Sequence, residues 1–479
     1  MPETPTMRRE ERLLSDLRDG RPMGGRAAIA LVWLLSVPTV LSELSTIAME
    51  YIDAAMVGRI GAGGAAAIGL VATSTWLLWG LLHAATTGFA VIVAQEIGAR
   101  RFREARSAMM QGFAISFGIA ATLALAAGAI ARPLPHWLGG EEAICADASR
   151  YFSIFMVAGM PIYLVRMYSA QMLQSAGDMR TAGVLNIAAC VMDVIFNFIF
   201  IFPSHRIAIF GQNLTIPGLD LGVAGAAIGS VAAETLVGCA AAWLLLARHP
   251  LLRLRRGEPL RLERRVACDA AKVAAPIAFE RGAMNGAMLV STTIVAPLGA
   301  VALAANSFAI TAESLCYMPG YGISSAATTL VGQAFGARRR ALARRFAWIC
   351  TWSGVACMSA TGVLLLAFAP SVMSAITPDP DVAALGAKVL RIEAFAEPFF
   401  AASIVAGGAL RGAGDTLVPS IMNLCSMWLV RIPLAAFLAS RLGLAGAWVA
   451  MAVELCVRGL LMGSRLASPG WSERERVGE

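Results

Sequence analysis

The sequence predicts an all-α integral membrane protein: twelve transmembrane helices in two six-helix bundles related by a parallel internal repeat. Three observations carry the prediction. The chain of 479 residues is 58% hydrophobic and only 15% charged, with mean hydropathy +0.68. A soluble domain carries about a quarter charged residues. Apolar runs near the ~20 residues a helix needs to cross a bilayer recur along the whole chain. Phrases of the first half also return in the second, in the same order. "VAQEIGARR" from Val93 returns as "VGQAFGARR" from Val331, an offset of 238 between the glutamines (333 − 95). Pro38 has Pro276 at the same offset, Gly177 in "SAGD" has Gly414 in "GAGD", and Gly222 in "LGVAG" has Gly443 in "LGLAG".

Residues 1–26 read as a cytoplasmic N-terminal tail. The first bundle, 27–247, holds apolar runs at 27–57, 65–93, 107–132, 149–173, 180–203 and 221–247. Its last offset against the second half shrinks, so extra residues near 204–220 read as a longer loop. An Arg-rich linker follows at 248–265. The second bundle, 266–465, holds runs at 266–296, 301–334, 344–369, 385–410, 417–439 and 443–465, and 466–479 is a cytoplasmic tail. Arg26 before Ala27–Val40 has the look of a signal peptide. No small-residue cleavage site follows, and the segment has a partner in the second half, so it reads as a retained helix.

The cations cluster in alternate connections: "MRREERLLSDLRDGRP", "ARRFREAR", "RHPLLRLRRGEPLRLERR" and "ARRRALARR". The intervening connections, "GRIGAGG", "GGEEAICADAS" and "TPDPDVAALG", are poorer in arginine. By the positive-inside rule both termini lie in the cytoplasm, and the compact, bacterial style of the chain places it in the inner (plasma) membrane. The net charge of +8 therefore points to lipid headgroups and not to nucleic acid. Nine cysteines, mostly inside the runs and without CxxC spacing, read as apolar packing. There is no Walker A motif and no constellation for hydrolysis or redox chemistry, so no enzyme and no cofactor are expected.

Six spans per half put both halves into the membrane in the same direction, which suits two bundles rocking about a site held between them. Pro38 and Pro276 are candidate hinges. Charges inside a span are costly, at least ~2.5 kcal/mol on insertion scales, and are functional candidates by default. Glu43, Thr46, Glu50 and Asp53 fall on one helical stripe. Asn186, Cys190, Asp193 and Asn197 fall on another, and Asn306, Glu313, Tyr317 and Ser324 on a third. Carboxylate and amide on one face suit a coupling ion: Na⁺ wants several oxygens, and a proton wants a buried carboxyl. Asp53 and Asp193, with Asn186, Asn197 and Glu280, are the ion-coupling candidates, with H⁺ or Na⁺ at Asp53 and Asp193. Glu50, Glu313 and Tyr317 are candidates for a substrate cavity. Arg391 and Arg431 are read as ion-pair partners between helices.

In "YIDAAMVGRIG", "VAQEIGARR", "LQSAGDMRTAGVLNIAACVMDVIFNFIFIF", "LGVAGAAIGS", "VGQAFGARR" and "RGAGDTLVPSIMNL" the chain resembles the multidrug and toxic compound extrusion (MATE) transporters over nearly its whole length. The resemblance implies a central V-shaped cavity and antiport of lipophilic organic cations or drugs against H⁺ or Na⁺, by a protein expected as a monomer. By this resemblance Asp53 lies where the family has its first-helix acidic residue, and Asp193 matches the fifth-helix Asp typical of the DinF-like branch. Glu280 lies about a turn from the seventh-helix acid of the NorM-like branch, so DinF-like is favoured. The alternative is a flippase for a lipid-linked intermediate on a related fold, which would use Arg166, Arg391 and Arg431. The resemblance also implies that each twin phrase closes the second helix of its bundle, with the Gly-Ala step ending it.

Overall fold

A computed structural model describes residues 8–209, 212–255 and 262–473. The first half opens with a short amphipathic helix, α1 (Arg9–Arg18), followed by the long helices α2 (Gly25–Ile60), α3 (Ala62–Gly98) and α4 (Phe102–Ile130). A single turn, α5 (Leu134–Trp137), leads to α6 (Glu142–Phe152), which continues through a π-helical turn into α7 (Gly159–Ala176). Next come α8 (Met179–Ile201), a hairpin of β1 (Pro203–Ile209) and β2 (Gln212–Leu219), and α9 (Gly222–Trp243). The second half comprises α10 (Arg264–Val295), α11 (Ala300–Gly336), α12 (Arg340–Ile376), α13 (Pro380–Glu393) and α14 (Glu397–Gly412). It closes with α15 (Leu417–Cys425), α16 (Ile432–Leu442) and α17 (Leu444–Ala467).

Among the described residues, ten helical stretches are long and apolar enough to cross a membrane. Two expected spans are not among them, each for a physical reason. The run at 266–296 is one continuous helix, α10, but Arg264, Arg265, Asp269, Lys272, Glu280 and Arg281 dilute its apolar character. The run at 385–410 is broken: α13 ends at Glu393, and α14 restarts at Glu397 with Pro398 in its first turn. Proline has no N–H to donate to the preceding turn, so it starts a helix more readily than it continues one. The loop expected near 204–220 is the antiparallel hairpin, paired from Pro203 with Leu219 to Ile209 with Gln212. Part of the Arg-rich linker, 256–261, lies outside the described residues, as do 1–7 and 474–479.

Each half has its own core. Phe89, Met109, Phe152, Tyr168 and Met172 belong to the first, and Met358, Leu390, Ala401 and Trp448 to the second. A third cluster joins the halves: Leu31 and Leu35 of α2 meet Leu330, Phe346 and Leu410. Helices in lipid gain little from hiding apolar surface from one another, so close approach over small residues matters more. Gly322 of α11 lies against the backbone of Val40, its built Cβ 2.7 Å from the Val40 nitrogen, and the Thr39 hydroxyl donates to the Gly322 carbonyl (2.8 Å). Gly183 of α8 lies against the Pro38 carbonyl. Pro38 and Pro276 both sit inside helices that run on unbroken.

The twin phrases meet. Gly98 packs on the backbone of Gln333, and Gly336 packs on the backbone of Gln95, each so tightly that a Cβ would overlap its neighbour. The two glutamines then cross over. Gln95 Nε2 donates to the Gly412 carbonyl (3.0 Å), and Gln333 Nε2 donates to the Ser175 carbonyl (2.8 Å). Gly412 and Ser175 open the paired "GAGD" and "SAGD" phrases, so each phrase of one half is bonded to the other phrase of the opposite half. The two glycines are thus contact points. Each helix ends at the expected Gly-Ala step, capped by Ala99 or Ala337, and the next residue, Arg100 or Arg338, takes the left-handed position (φ 62 and 57). Arg101 N and Arg339 N close the ends on the Glu96 and Ala334 carbonyls (2.9 Å each).

The segment read as an N-terminal tail covers this junction. Leu14 and Leu17 of α1 are buried. Arg18 donates to Gln333 Oε1 (3.1 Å) and to the Ala176 carbonyl (2.9 Å), tying α1 to both halves. Gly336→Val should wedge the junction apart at roughly 1–3 kcal/mol of overpacking, seen as a melting point lower by several degrees and faster amide exchange at 95–101. Gly463→Val is the control, because a Cβ there meets nothing within 4 Å. A Gly336→Val protein that melts and exchanges like its parent would refute the interlock.

Candidate functional site

The stripes of α2 and α8 each divide between two networks. Asp53 of α2 faces α8, where Asn197 Nδ2 donates both to Asp53 Oδ1 (3.1 Å) and to Asp193 Oδ2 (2.9 Å). One amide therefore bridges two carboxylates from two helices. Asp193 and Asn197 are buried and Asp53 is half-buried. The helical repeat makes this reachable: residues 193 and 197 lie one turn apart on one face of α8. Asn197 Oδ1 is buried without a hydrogen-bond partner. It lies against Gly229 of α9, where a side chain would collide with it. The cluster so presents carboxylate and amide oxygens, with Asn197 as the donor that both carboxylates share and Ser230 beside Asp193, an arrangement that accepts a proton or a small cation.

Asn186, two turns away on α8, belongs to a different network. It accepts from Arg166 Nη1 (2.8 Å) and donates to Thr46 Oγ1 (3.0 Å) of α2. Arg166 of α7 is in turn paired with Glu234 of α9 and lies over the Tyr163 ring, 5.2 Å from its centroid. Glu234 and Asn186 thus satisfy a buried guanidinium, which gives Asn186 a structural duty apart from Asp53 and Asp193. Beside it runs an aromatic stack, with Trp79 on Tyr163 (4.1 Å between centroids) and on Phe155 (5.3 Å).

Glu280 stands elsewhere again. It accepts from Ser420 Oγ and Asn423 Nδ2, both at 2.6 Å, in a cavity of about 100 Å³ bordered by Arg281, Arg411 and Arg458. Three guanidiniums around one carboxylate do not favour a metal cation there. Glu313 does not line that cavity. It is buried in the second half with Glu393 and Glu397, in reach of Arg431 and Arg458. Tyr317 packs on Phe400 (5.5 Å) and Tyr321 (5.9 Å), and Glu50 is exposed. Tyr317 is nonetheless in electrostatic reach of both Glu313 and Glu50.

The arginines resolve differently from their sequence reading. Arg391 is exposed and donates to the Leu366 carbonyl (3.3 Å). Arg431 donates to Met451 Sδ (2.8 Å) and lies in electrostatic reach of Glu454 and Glu313. The buried pair of α17 is Glu454 with Arg458 (2.8 Å). Sequence reasoning missed Gln95 and Gln333 inside the very phrases it singled out. It also missed Arg281 and Arg411, although each sits within or at the end of an expected span.

Long apolar helices in two repeating halves, with acids held on their inner faces, define a polytopic membrane carrier. A MatE family model matches residues 38–199 and again 276–437, two stretches offset by 238 (276 − 38). The chain belongs to the MatE family, whose members are transporters and not enzymes. Among relatives, it is 28% identical over 459 residues to a Thermotoga maritima protein named "Probable multidrug resistance protein NorM", covering 93% of this chain and 94% of that one. A NorM-named Mesorhizobium japonicum protein is 29% identical over 480 residues, covering 94% of each. The multidrug resistance protein MdtK of Yersinia pestis is 24% identical over 448 residues, covering 90% and 93%. A crystal structure of a MATE protein in complex with MaL6 superposes with a TM-score of 0.85 at 18% identity, covering 96% of this chain and 99% of that one. The Vibrio cholerae transporter VcmN gives 0.84 at 17%, covering 97% and 100%. These likenesses show the fold.

Asn197→Ala removes the donor that two carboxylates share. It should cost about 1–3 kcal/mol, the usual penalty for leaving buried acceptors unmet. The check is a thermal melt of the purified protein. A melting point equal to the parent's would mean that the bridge does not form.

Proposed function

We propose that the protein is a secondary active efflux transporter that exports lipophilic organic cations or drugs in exchange for H⁺ or Na⁺. The observation that carries this reading is the Asn197 bridge between Asp53 of α2 and Asp193 of α8. The multidrug-resistance names of the relatives agree with it. In this reading α10 and the broken pair α13 and α14 also cross the membrane, completing twelve spans in two six-helix bundles. The arginine-rich end is cytoplasmic, both termini lie there, and the protein works as a monomer in the inner membrane.

Coupling follows from competition. A ligand shifts a conformational equilibrium only by its differential affinity for the two states. An ion held between Asp53 and Asp193 would favour one arrangement of α2 against α8, and a cationic substrate would favour the other. Pro38, on the same helix as Asp53, is the proposed place where α2 yields, and Pro276 its counterpart in α10. The acid pair within the first half favours the DinF-like branch, whereas the NorM names of relatives point the other way. Glu313, Glu393 and Glu397 are a second place where protons or cations could be held in the other half. The flippase reading loses its three candidate arginines, since Arg166 and Arg431 are engaged with protein partners and Arg391 is exposed.

The test is ethidium efflux from proteoliposomes with a pH gradient and a Na⁺ gradient imposed separately. Wild type should export under one of them, and Asp53→Asn should lose that export while still folding and inserting. Glu280→Gln should retain it. Full gradient-driven export by Asp53→Asn would remove the acid pair from coupling, and loss confined to Glu280→Gln would move the site to the second half.

A further inference from the structure

We propose that the cavity between α10, α14 and α15 binds an oxyanion, the carboxylate or phosphate group of an amphiphilic ligand. Three guanidiniums border it: Arg281, Arg411 and Arg458. Arg458 is committed to Glu454. The guanidinium groups of Arg281 and Arg411 form no hydrogen bond and no ion pair with any described residue. The cavity's own carboxylate does not serve them, because Glu280 takes its two short hydrogen bonds from the neutral groups of Ser420 and Asn423. Arg411 lies in electrostatic reach of both Arg281 and Glu280. From the other half, His83 of α3 is in reach of both arginines. The stem of Arg281 rests on α3, within 3.6 Å of the Cβ position at Gly80, which fixes where its head can go.

Two neighbouring half-buried guanidiniums repel each other and want acceptors. A guanidinium fork matches the paired oxygens of a carboxylate or phosphate, and a group seated between two forks would satisfy both. The volume of about 100 Å³ suits such a headgroup and not a whole drug, while Tyr321 and Phe400 offer rings to the organic body that carries it. The inference extends the efflux reading, on which it rests for the idea of a transported amphiphile. It adds that ligands bearing an acid group are held in the second half, whatever cation they carry.

The experiment uses the full-length protein in nanodiscs of phosphatidylethanolamine and phosphatidylglycerol, as wild type, Arg281→Gln, Arg411→Gln and Arg411→Lys. Binding of norfloxacin, which bears a carboxylate, is compared with binding of its methyl ester and of ethidium, which bears no acid. Phospholipid retained by each protein through detergent purification is measured by mass spectrometry. A carboxylate site predicts norfloxacin binding about tenfold or more weaker in each Gln variant and in the ester, with ethidium unchanged and Arg411→Lys intermediate. A lipid-phosphate site predicts instead that anionic phospholipid retained by wild type is lost from the Gln variants. Either result supports the site and names its source. Insensitivity of both norfloxacin and retained lipid to the arginines overturns it. If the Gln variants do not survive purification, equal wild-type affinity for acid and ester, with no retained anionic lipid, overturns it as well. Ethidium export that fails in wild type while norfloxacin binding stays arginine-dependent would sink the efflux reading and leave the anion site standing.

Discussion

The reciprocal contact of Gly98 with Gln333 and Gly336 with Gln95 is the constraint on which the rest of the architecture hangs. It brings two backbones closer than any side chain would allow, and it does so twice, in symmetry. Gln95 and Gln333 convert that approach into specific bonds, because each reaches the carbonyl of a helix end in the opposite half. Leu14, Leu17 and Arg18 of α1 then cover the seam. The arginine-rich end of the two halves is held together in this way. A carrier needs a contact of this kind: firm in one state, yet made of few enough bonds to open in another.

The fold was largely legible in the sequence, because its signal is redundant. Long apolar runs, the arginine asymmetry and the repeat each point to the same helices. The family match at 38–199 and 276–437 falls on the offset first seen between Pro38 and Pro276. The misses are where local chemistry overrides composition. Pro398 splits α13 from α14, whereas the run at 266–296 is one 32-residue helix, α10, despite its acid and base load. The helix ends after the twin phrases use Arg100 and Arg338 in a conformation normally left to glycine. Gly98 and Gly336 were free to serve the contact instead.

The site was legible only in part. Periodicity placed Asp193 and Asn197 on one face of α8, and it placed Asp53 on an inner face of α2. It could not say that Asn186, on the same stripe, would be taken by Arg166 and Thr46. A stripe gives a direction from one helix axis, whereas a partner depends on which helix stands there and at what height. The same limit hid Arg281 and Arg411. Their lack of partners is a property of the cavity around them and of the neutral donors that satisfy Glu280.

The duplicated halves differ in how they carry charge. The first half keeps its acids in a bridged pair and cancels its buried guanidinium with Glu234. The second half cancels Arg458 with Glu454, gathers Glu313, Glu393 and Glu397 in one buried cluster, and leaves two arginines facing a cavity. Buried charge is costly unless matched, so such a difference does not drift in freely under a shared scaffold. Symmetric packing at the arginine-rich end and asymmetric chemistry along the helices are compatible demands. The first is set by backbone contacts that the repeat duplicates, and the second by side chains that differ between the halves.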